Sequence, residues 1–299
     1  MPAPSPPRGA NPLAHLTALQ ALLLLGSLGM LNTLWSDMLF PAIGSIQHDL
    51  GASATAVQQT VSLYFIASAF MCLWHGALSD AWGRRRTLLV GLAVLVLTSL
   101  LSPLATRIEQ LWILRIVQGG VVGLGHILCR AVIRDVYSGE AAQRMIAHTS
   151  NLQAVVAILL PMLGGWLTWM WGWRAVFAFI SAAGAMLFLL YARHLPETLP
   201  PARRQALRPG SLWRNYRSVL GSAWFMRLTV AHSLNWAAMF LYVAAAPQVL
   251  TQLLGRSATE AYLVLAPMMC GLIAGFLCLP KLVQRCGTRR TMYLDKMAL

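Results

Sequence analysis

Eight stretches of this chain are each about the length and apolarity that a bilayer demands of a crossing helix. They fall at residues 17–40, 58–79, 87–106, 110–130, 147–170, 173–193, 222–247 and 259–281. A hydrocarbon core about 30 Å thick takes about 20 helical residues. Inside lipid the backbone must satisfy its own polar groups, which leaves helices or closed barrels. Runs this long and continuously apolar are helical in pattern, so the expected class is an all-α membrane protein. The balance of residues agrees: 58% are hydrophobic and 11% charged, against roughly 25% charged in a soluble domain. Richness in Leu, Val and aromatics also excludes a disordered chain.

The basic residues report orientation. With the N-terminus on the cytoplasmic side, 17 Arg and Lys fall on cytoplasmic connections. Only Arg107, Arg174 and Arg256 fall on outer ones. That asymmetry predicts an N-terminus inside. It also reads the net charge of +14 as a membrane signature and not as nucleic-acid binding. The Pro-rich segment 1–16 reads as a disordered tail without a cleavable leader. Residues 17–193 then form a six-helix bundle, 194–221 a Pro- and Arg-rich cytoplasmic linker, and 222–299 the start of a second bundle. The five cysteines are scattered, without a CxxC pair or a Cys/His cluster at zinc spacing, and read as free thiols.

Two loops repeat each other. GALSDAWGRRRTL begins at Gly76 and PKLVQRCGTRRTM at Pro280. Leu78, Gly83, Arg85, Arg86 and Thr87 recur as Leu282, Gly287, Arg289, Arg290 and Thr291. The seventh run therefore opens a second copy of the first six-helix unit in the same orientation. By that spacing the copy ends near residue 400, about 100 residues past Leu299. The expectation is a fragment or truncated frame, or a second half that never completes.

Several residues carry physical meaning beyond apolarity. Gly76 is expected to let two helices approach closely, and Gly83 to permit a tight turn. Asp80 sits among Arg84, Arg85 and Arg86 at a membrane surface, where an ionic latch can be made and broken; a plain basic loop is the alternative. Asp37 lies near the outer end of the first run and is the acid placed inside the membrane. A carboxyl in a low-dielectric cavity can load and release a proton near neutral pH, although an interfacial Asp in contact with water fits the same position. Arg115 lies near the outer end of the fourth run, at a depth that Asp37 shares. A buried guanidinium needs such a partner, unless it snorkels to the headgroups. Arg134 and Asp135 close the fourth run as an anchoring ion pair or a gating element. Pro161, Gly164 and Gly165 mark a bent, tightly packed fifth helix.

Taken together these motifs resemble the major facilitator superfamily. GALSDAWGRRRTL is similar to its loop signature between helices 2 and 3. Asp37-Met-Leu-Phe-Pro41, Leu114-Arg115-Ile-Val-Gln118-Gly119, Arg130-Ala-Val-Ile-Arg134-Asp135, Pro161-Met-Leu-Gly164-Gly165, Gly172-Trp173-Arg174 and Leu195-Pro196-Glu197-Thr198-Leu199 resemble the bicyclomycin-resistance (Bcr/CflA) drug:proton antiporters. The resemblance implies a major facilitator fold, here a complete six-helix half plus two helices of a second. It implies that Asp37 is the proton-coupling acid, assisted by Arg115 and Gln118. It gives the Pro161–Gly164–Gly165 segment the part of sealing the cavity in antiporters.

Asn32, Tyr64, His126 and Asn235 are further candidates for a cavity wall, with Gln58, Gln59, Asn151, Gln153 and His232 behind them. A His within a helix titrates near neutral pH, but a hydrogen-bonded packing role fits His126 as well. Trp112, Trp169, Trp171 and Trp173 near run ends read as an interfacial belt. No phosphate-cradling GxxxxGK[ST] loop, hydrolase elbow or HExxH occurs, so neither ATP nor an enzymatic site is expected. The expected reading is a monomeric inner-membrane exporter with no cofactor. Its partners would be a proton, a small amphipathic substrate and the bilayer. An exporter of a metabolite, amino acid or siderophore, or a non-transporting fragment, stays open at this stage.

Overall fold

The computed structural model describes residues 12–13, 15–205, 207 and 209–248, together with Pro267, Cys270, Gly271, Ala274 and Gly275. All regular structure among the described residues is helical. The chain divides into two units, Met1–Leu212 and Trp213–Leu299. In the first unit α1 (Ala18–Gly29), α2 (Leu31–Ser36), a 3-10 turn (Asp37–Ala42) and α3 (Ile43–Asp49) make the first span. Then come α4 (Ala54–Trp82), α5 (Arg84–Leu101), α6 (Ile108–Val136), α7 (Gly139–Trp171) and α8 (Trp173–His194). The last five are each long and apolar enough to cross a membrane, and the bent first span makes a sixth. α9 (Pro209–Leu220) straddles the unit boundary, and α10 (Ala223–Gln248) answers the seventh apolar run. The eighth run, apart from five helical residues, and the second copy of the loop motif lie outside the described residues.

The helices overrun their apolar stretches because the flanking sequence continues to favour helix. GEAAQRMI, ahead of the fifth run, joins α7 and lengthens it to 33 residues. At about 1.5 Å per residue that is about 50 Å, well beyond the hydrocarbon core. Thr17 starts α1 with a reciprocal capping box: its hydroxyl accepts from Gln20 N at 3.2 Å, and Gln20 Oε1 accepts from Thr17 N at 2.9 Å. Gly83 stops α4 with φ +98°, a conformation glycine enters without steric cost.

The first span is broken where the apolar run suggested one helix over 17–40. It bends by 47° at Met30, between Ala18–Gly29 and Leu31–Asp49, and leaves the α-helix a second time further on. Pro41 has no N–H for the ladder, and its ring crowds the carbonyl four residues back, which is Asp37. Residues Asp37–Ala42 accordingly wind as a 3-10 turn, and the chain resumes α-helix to Asp49. Asp37 therefore heads an irregular segment at membrane depth, the kind that persists only where protein covers it.

The six spans pack around Trp35, Phe177, Trp173, Tyr191 and Tyr64, all essentially buried. Lipid tails are as apolar as leucine, so contact in the bilayer comes from close packing and hydrogen bonds. α6 supplies two close backbone approaches. A Cβ on Gly119 would strike the backbone of Tyr64 in α4, and one on Gly125 would strike the Leu28 carbonyl in α1. Trp173 was expected in an interfacial belt; instead its ring packs edge-on to Phe177 and its indole N–H donates to Asp49 at 2.9 Å. Arg174 pairs with the same carboxylate and donates to the Pro103 carbonyl at 2.9 Å, which ties three spans together at one end. Trp169 and Trp171 stay exposed, as a belt requires.

The segment 194–221 is more structured than its composition suggests. It holds a 3-10 turn at Pro201–Arg203 and the whole of α9. Its first part lies back across the loop that joins α4 to α5, where Gln205 N donates to the Asp80 carbonyl at 3.1 Å.

Candidate functional site

Two polar clusters stand out in the first unit. The inner one surrounds Arg115, which is 1% exposed within a membrane-crossing helix. A guanidinium there costs about 2.5–3.5 kcal/mol on insertion scales, so it must be well partnered. Its Nη1 donates to the Trp35 carbonyl at 2.9 Å and to Gln118 Oε1 at 3.1 Å. Its Cζ sits 3.9 Å from the centroid of the Tyr64 ring, a cation–π contact. Nε is buried without a hydrogen-bond partner among the described residues.

Gln118 spreads the network to α5 and its end. Its Nε2 donates to Ser102 Oγ at 3.2 Å and to Ser99 Oγ at 3.4 Å. Ser99 also accepts from Trp35 Nε1 at 2.8 Å. Tyr64 Oη donates to Asn32 Oδ1 at 3.1 Å. The first span is thus held on both sides of its Trp35 turn, by Arg115 at the backbone and Ser99 at the indole.

Asp37 is half-buried two residues further on, and Ser36 Oγ donates to its carboxylate. The expected direct ion pair with Arg115 is absent among the described contacts: no nitrogen of Arg115 lies within 4.0 Å of Asp37. The two do share a region of the fold. The arginine's Nη1, however, is turned to a backbone carbonyl and an amide, and its plane lies over an aromatic face. Behind the turn, α7 presses its small-residue motif against the Asp37 segment. A Cβ on Gly164 would overlap the Met38 backbone, whereas one on Gly165 would meet Pro41 Cβ at an ordinary 3.5 Å. Pro161 sits inside α7, which runs on as continuous helix.

The second cluster lies at the opposite end of the spans. Arg84 Nη1 pairs with Asp80 at 2.5 Å and its Nε with Asp135 at 3.2 Å, joining α4, α5 and α6. Its backbone N–H donates to Glu197 at 2.9 Å. Glu197 also faces Arg204 at 3.7 Å, and Thr198 donates to Asp135 at 3.1 Å. Arg85 donates to the Ala192 carbonyl of α8, and Arg86 is exposed. A Cβ on Gly83 would run into the Glu197 carboxylate; glycine is needed there for space as well as for φ.

Two expectations change here. Among the described residues nothing stands where the Cβ of Gly76 would be, so it brings no described helix closer. Asp135 pairs with Arg84, not with its neighbour Arg134, which is exposed, because adjacent helix positions point to different faces. The basic loop is also closed within the first unit by Glu197 and Thr198.

Arg84 bridges two carboxylates that one point charge would serve less well. Arg84→Lys is expected to lower stability by about 1–2 kcal/mol. In a double-mutant cycle with Asp135→Asn, measured as thermal unfolding of the solubilised protein, the two effects should be non-additive. Simple additivity would remove the bridge as their link.

Of the remaining candidates, His126, Gln58, Gln59 and Asn151 are exposed, and Gln153 packs under Gly29. Asn235 and His232 lie exposed on α10 in the second unit, where His232 meets the Trp236 ring at 6.4 Å.

The family model described as Major Facilitator Superfamily matches residues 25–297. The chain belongs to the major facilitator superfamily. An uncharacterized MFS-type transporter of Bacillus subtilis, YdgK, is 32% identical over 78% of this chain and 59% of its own length. The chloramphenicol resistance protein CraA of Acinetobacter baumannii is 28% identical over 87% of this chain and 62% of its own. A bicyclomycin resistance protein homolog of Haemophilus influenzae is 28% identical over 75% and 56%. The chain thus spans about three-fifths of the length of these relatives. Among solved structures, the proton:xylose symporter XylE has a TM-score of 0.60 at 16% identity, covering 89% of this chain and 69% of that one, a likeness of fold. The superfamily is one of transporters, and the chain is a multi-pass membrane protein.

Within this superfamily fold, Trp35, Ser99, Ser102, Glu197 and Thr198 are site residues that sequence reasoning passed over. Ser99 and Ser102 carried a signal: hydroxyls three residues apart on one face of an apolar run, as Arg115 and Gln118 are on theirs. Glu197 stood in a quoted motif, but its contact with Gly83 depends on the path of the chain after α8.

Proposed function

We propose that the chain forms the proton-handling part of a drug:proton antiporter, which exports small amphipathic compounds across the inner membrane by alternating access. The observation that carries this reading is Asp37. Among the described acids it alone sits in the interior of a membrane-crossing span, away from the terminal turns of that span and from the connections. Intramembrane carboxyls of this kind mark ion pathways. In this reading Asp37 takes up a proton in one state and yields it in the other. Arg115, Gln118 and Tyr64 fix the span that carries it, while Asp80, Arg84, Asp135 and Glu197 latch the cytoplasmic end. The names of CraA and the bicyclomycin resistance homolog support drug-like substrates. The bias of basic loops supports a cytoplasmic N-terminus. A proton gradient supplies the energy, with no ATP, cofactor or nucleic acid involved, and the working form is a monomer.

Everted membrane vesicles test the antiport. Once respiration has built an acid interior, adding ethidium or chloramphenicol should dissipate the pH gradient in vesicles holding this chain. Empty vesicles should not respond. A gradient that stays unmoved while either compound accumulates inside would overturn proton exchange.

A further inference from the structure

Cys72 and His75 belong to neither polar cluster, yet α6 leaves a gap in front of both. They stand three residues apart in α4 and so share one face of that helix. From the point where a Cβ on Gly123 of α6 would stand, Cys72 Sγ is 2.6 Å away and His75 Nδ1 is 3.1 Å away. The sulfur and the nitrogen are therefore no further apart than the sum of those distances, about 5.7 Å. His75 is 1% exposed, and its Nε2 meets the Gly120 carbonyl at 3.0 Å. A carbonyl only accepts, so Nε2 donates, and in the neutral ring Nδ1 carries a bare lone pair. That Nδ1 is buried without a hydrogen-bond partner among the described residues, a costly condition for an acceptor. A ring that gives one N–H to a backbone carbonyl and turns its other nitrogen toward a thiol is arranged as metal-binding histidines are.

The donor set narrows the ion. Thiolate and imidazole favour soft metals over magnesium or calcium. Structural zinc takes four ligands, and among the described residues no group of three His, Cys, Asp or Glu could hold a metal. Two donors suit a filled-shell cation that binds linearly. At zinc-like bond lengths of about 2.3 Å to sulfur and 2.0 Å to nitrogen, a linear sulfur–metal–nitrogen unit spans about 4.3 Å, within the limit set by Gly123. Charge selects the valence. Both residues lie inside a membrane-crossing helix, where an uncompensated charge is expensive. One thiolate and one neutral imidazole cancel a single positive charge, so a monovalent ion leaves the site neutral and a divalent one does not.

We propose that Cys72 Sγ and His75 Nδ1 form a two-coordinate site for one monovalent soft cation of the copper(I) and silver(I) class, in the gap that Gly123 keeps open. Binding breaks the S–H bond, forms one sulfur–metal and one nitrogen–metal bond, and releases one proton to water; no electron is transferred. The site needs neither Asp37 nor the cytoplasmic latch, and so goes beyond the exchange proposed above.

Metal competition on the full chain tests this. Cys129, Cys270, Cys278 and Cys286 are replaced by serine, so that Cys72 is the one thiol. Copper(I) is offered to the purified protein without oxygen, against the coloured chelator bicinchoninate. One equivalent should pass from chelator to protein, and silver(I) should displace it. The copper X-ray absorption spectrum should show one sulfur and one nitrogen neighbour. Cys72→Ser should abolish binding. His75→Gln, which keeps an N–H for the Gly120 carbonyl, should lower affinity by more than the roughly hundredfold that loss of a supporting residue costs. Copper held by sulfur alone, binding that survives Cys72→Ser, unchanged affinity in His75→Gln, or no transfer from the chelator would each overturn the proposal. The spectrum is taken on the chain with His75 in place, so the test stands even where the His75 variant does not fold.

Discussion

Asp37→Asn is expected to reduce proton-driven efflux to the level of empty vesicles while leaving the protein inserted and folded. The replacement is nearly isosteric and removes the one thing the mechanism needs, a group that can hold or release a proton. Folding should tolerate it. Arg115 makes no ion pair with Asp37; it is held by the Trp35 carbonyl, Gln118 and the Tyr64 ring, and all three remain. Insertion should improve slightly, because an aspartate at membrane depth costs up to about 3 kcal/mol and an amide less. Asp37→Glu should retain part of the transport, since the carboxyl survives with a longer reach. The measurement is substrate-induced collapse of the pH gradient in everted vesicles, alongside the yield of monodisperse protein. An Asp37→Asn variant that still exchanges protons at the wild-type rate would take the coupling role away from this residue. A variant that fails to accumulate in the membrane would instead show Asp37 to be structural.

The broad architecture was legible because lipid makes the code simple. Length and apolarity mark a span, and the eight runs anticipated the six spans of the first unit and the course of α10. Apolarity says nothing about direction, however. Neither the bend at Met30 nor the 3-10 turn left a mark in hydropathy, although Pro41 was there to be weighed for the turn. The helix hidden in segment 194–221 was obscured in the same way. Its prolines read as linker, while the alternation of Trp213, Tyr216 and Leu220 with Arg214 and Arg217 went unused.

Site residues were legible in kind and less so in partnership. A charge inside an apolar run stands out, so Asp37 and Arg115 were found at once. Depth along a helix can be counted from its end, but azimuth cannot, and azimuth decides what a guanidinium touches. Arg115 therefore turned out to be held by a carbonyl, an amide and an aromatic ring and not by the Asp37 carboxylate. The second cluster shows the same limit: Arg84 draws partners from Asp80, Asp135 and Glu197, three acids scattered along the sequence. Glycines were the least readable. Gly76 and Gly164 both suggested close helix contact, and only Gly164 has a backbone against it.

That contrast yields the second large effect, between neighbouring residues. Gly164→Ala places a methyl against the Met38 carbonyl and Cα. Backbone cannot rotate aside as a side chain can, so α7 must back away from the turn that carries Asp37. Overpacking of this kind costs about 1–3 kcal/mol, and the displaced turn should take transport with it. Gly165→Ala adds the same methyl one position on, where Pro41 Cβ stands at 3.5 Å. That is ordinary contact, and alanine is favoured over glycine within a helix by about 1 kcal/mol. This variant should keep transport and hold or raise thermal stability in detergent. Equal losses in the two variants would mean that the segment acts through glycine content alone. A loss confined to Gly164→Ala, in stability and in proton exchange together, gives the motif a single physical role. It brings α7 into backbone contact with the turn that Pro41 breaks and Asp37 begins.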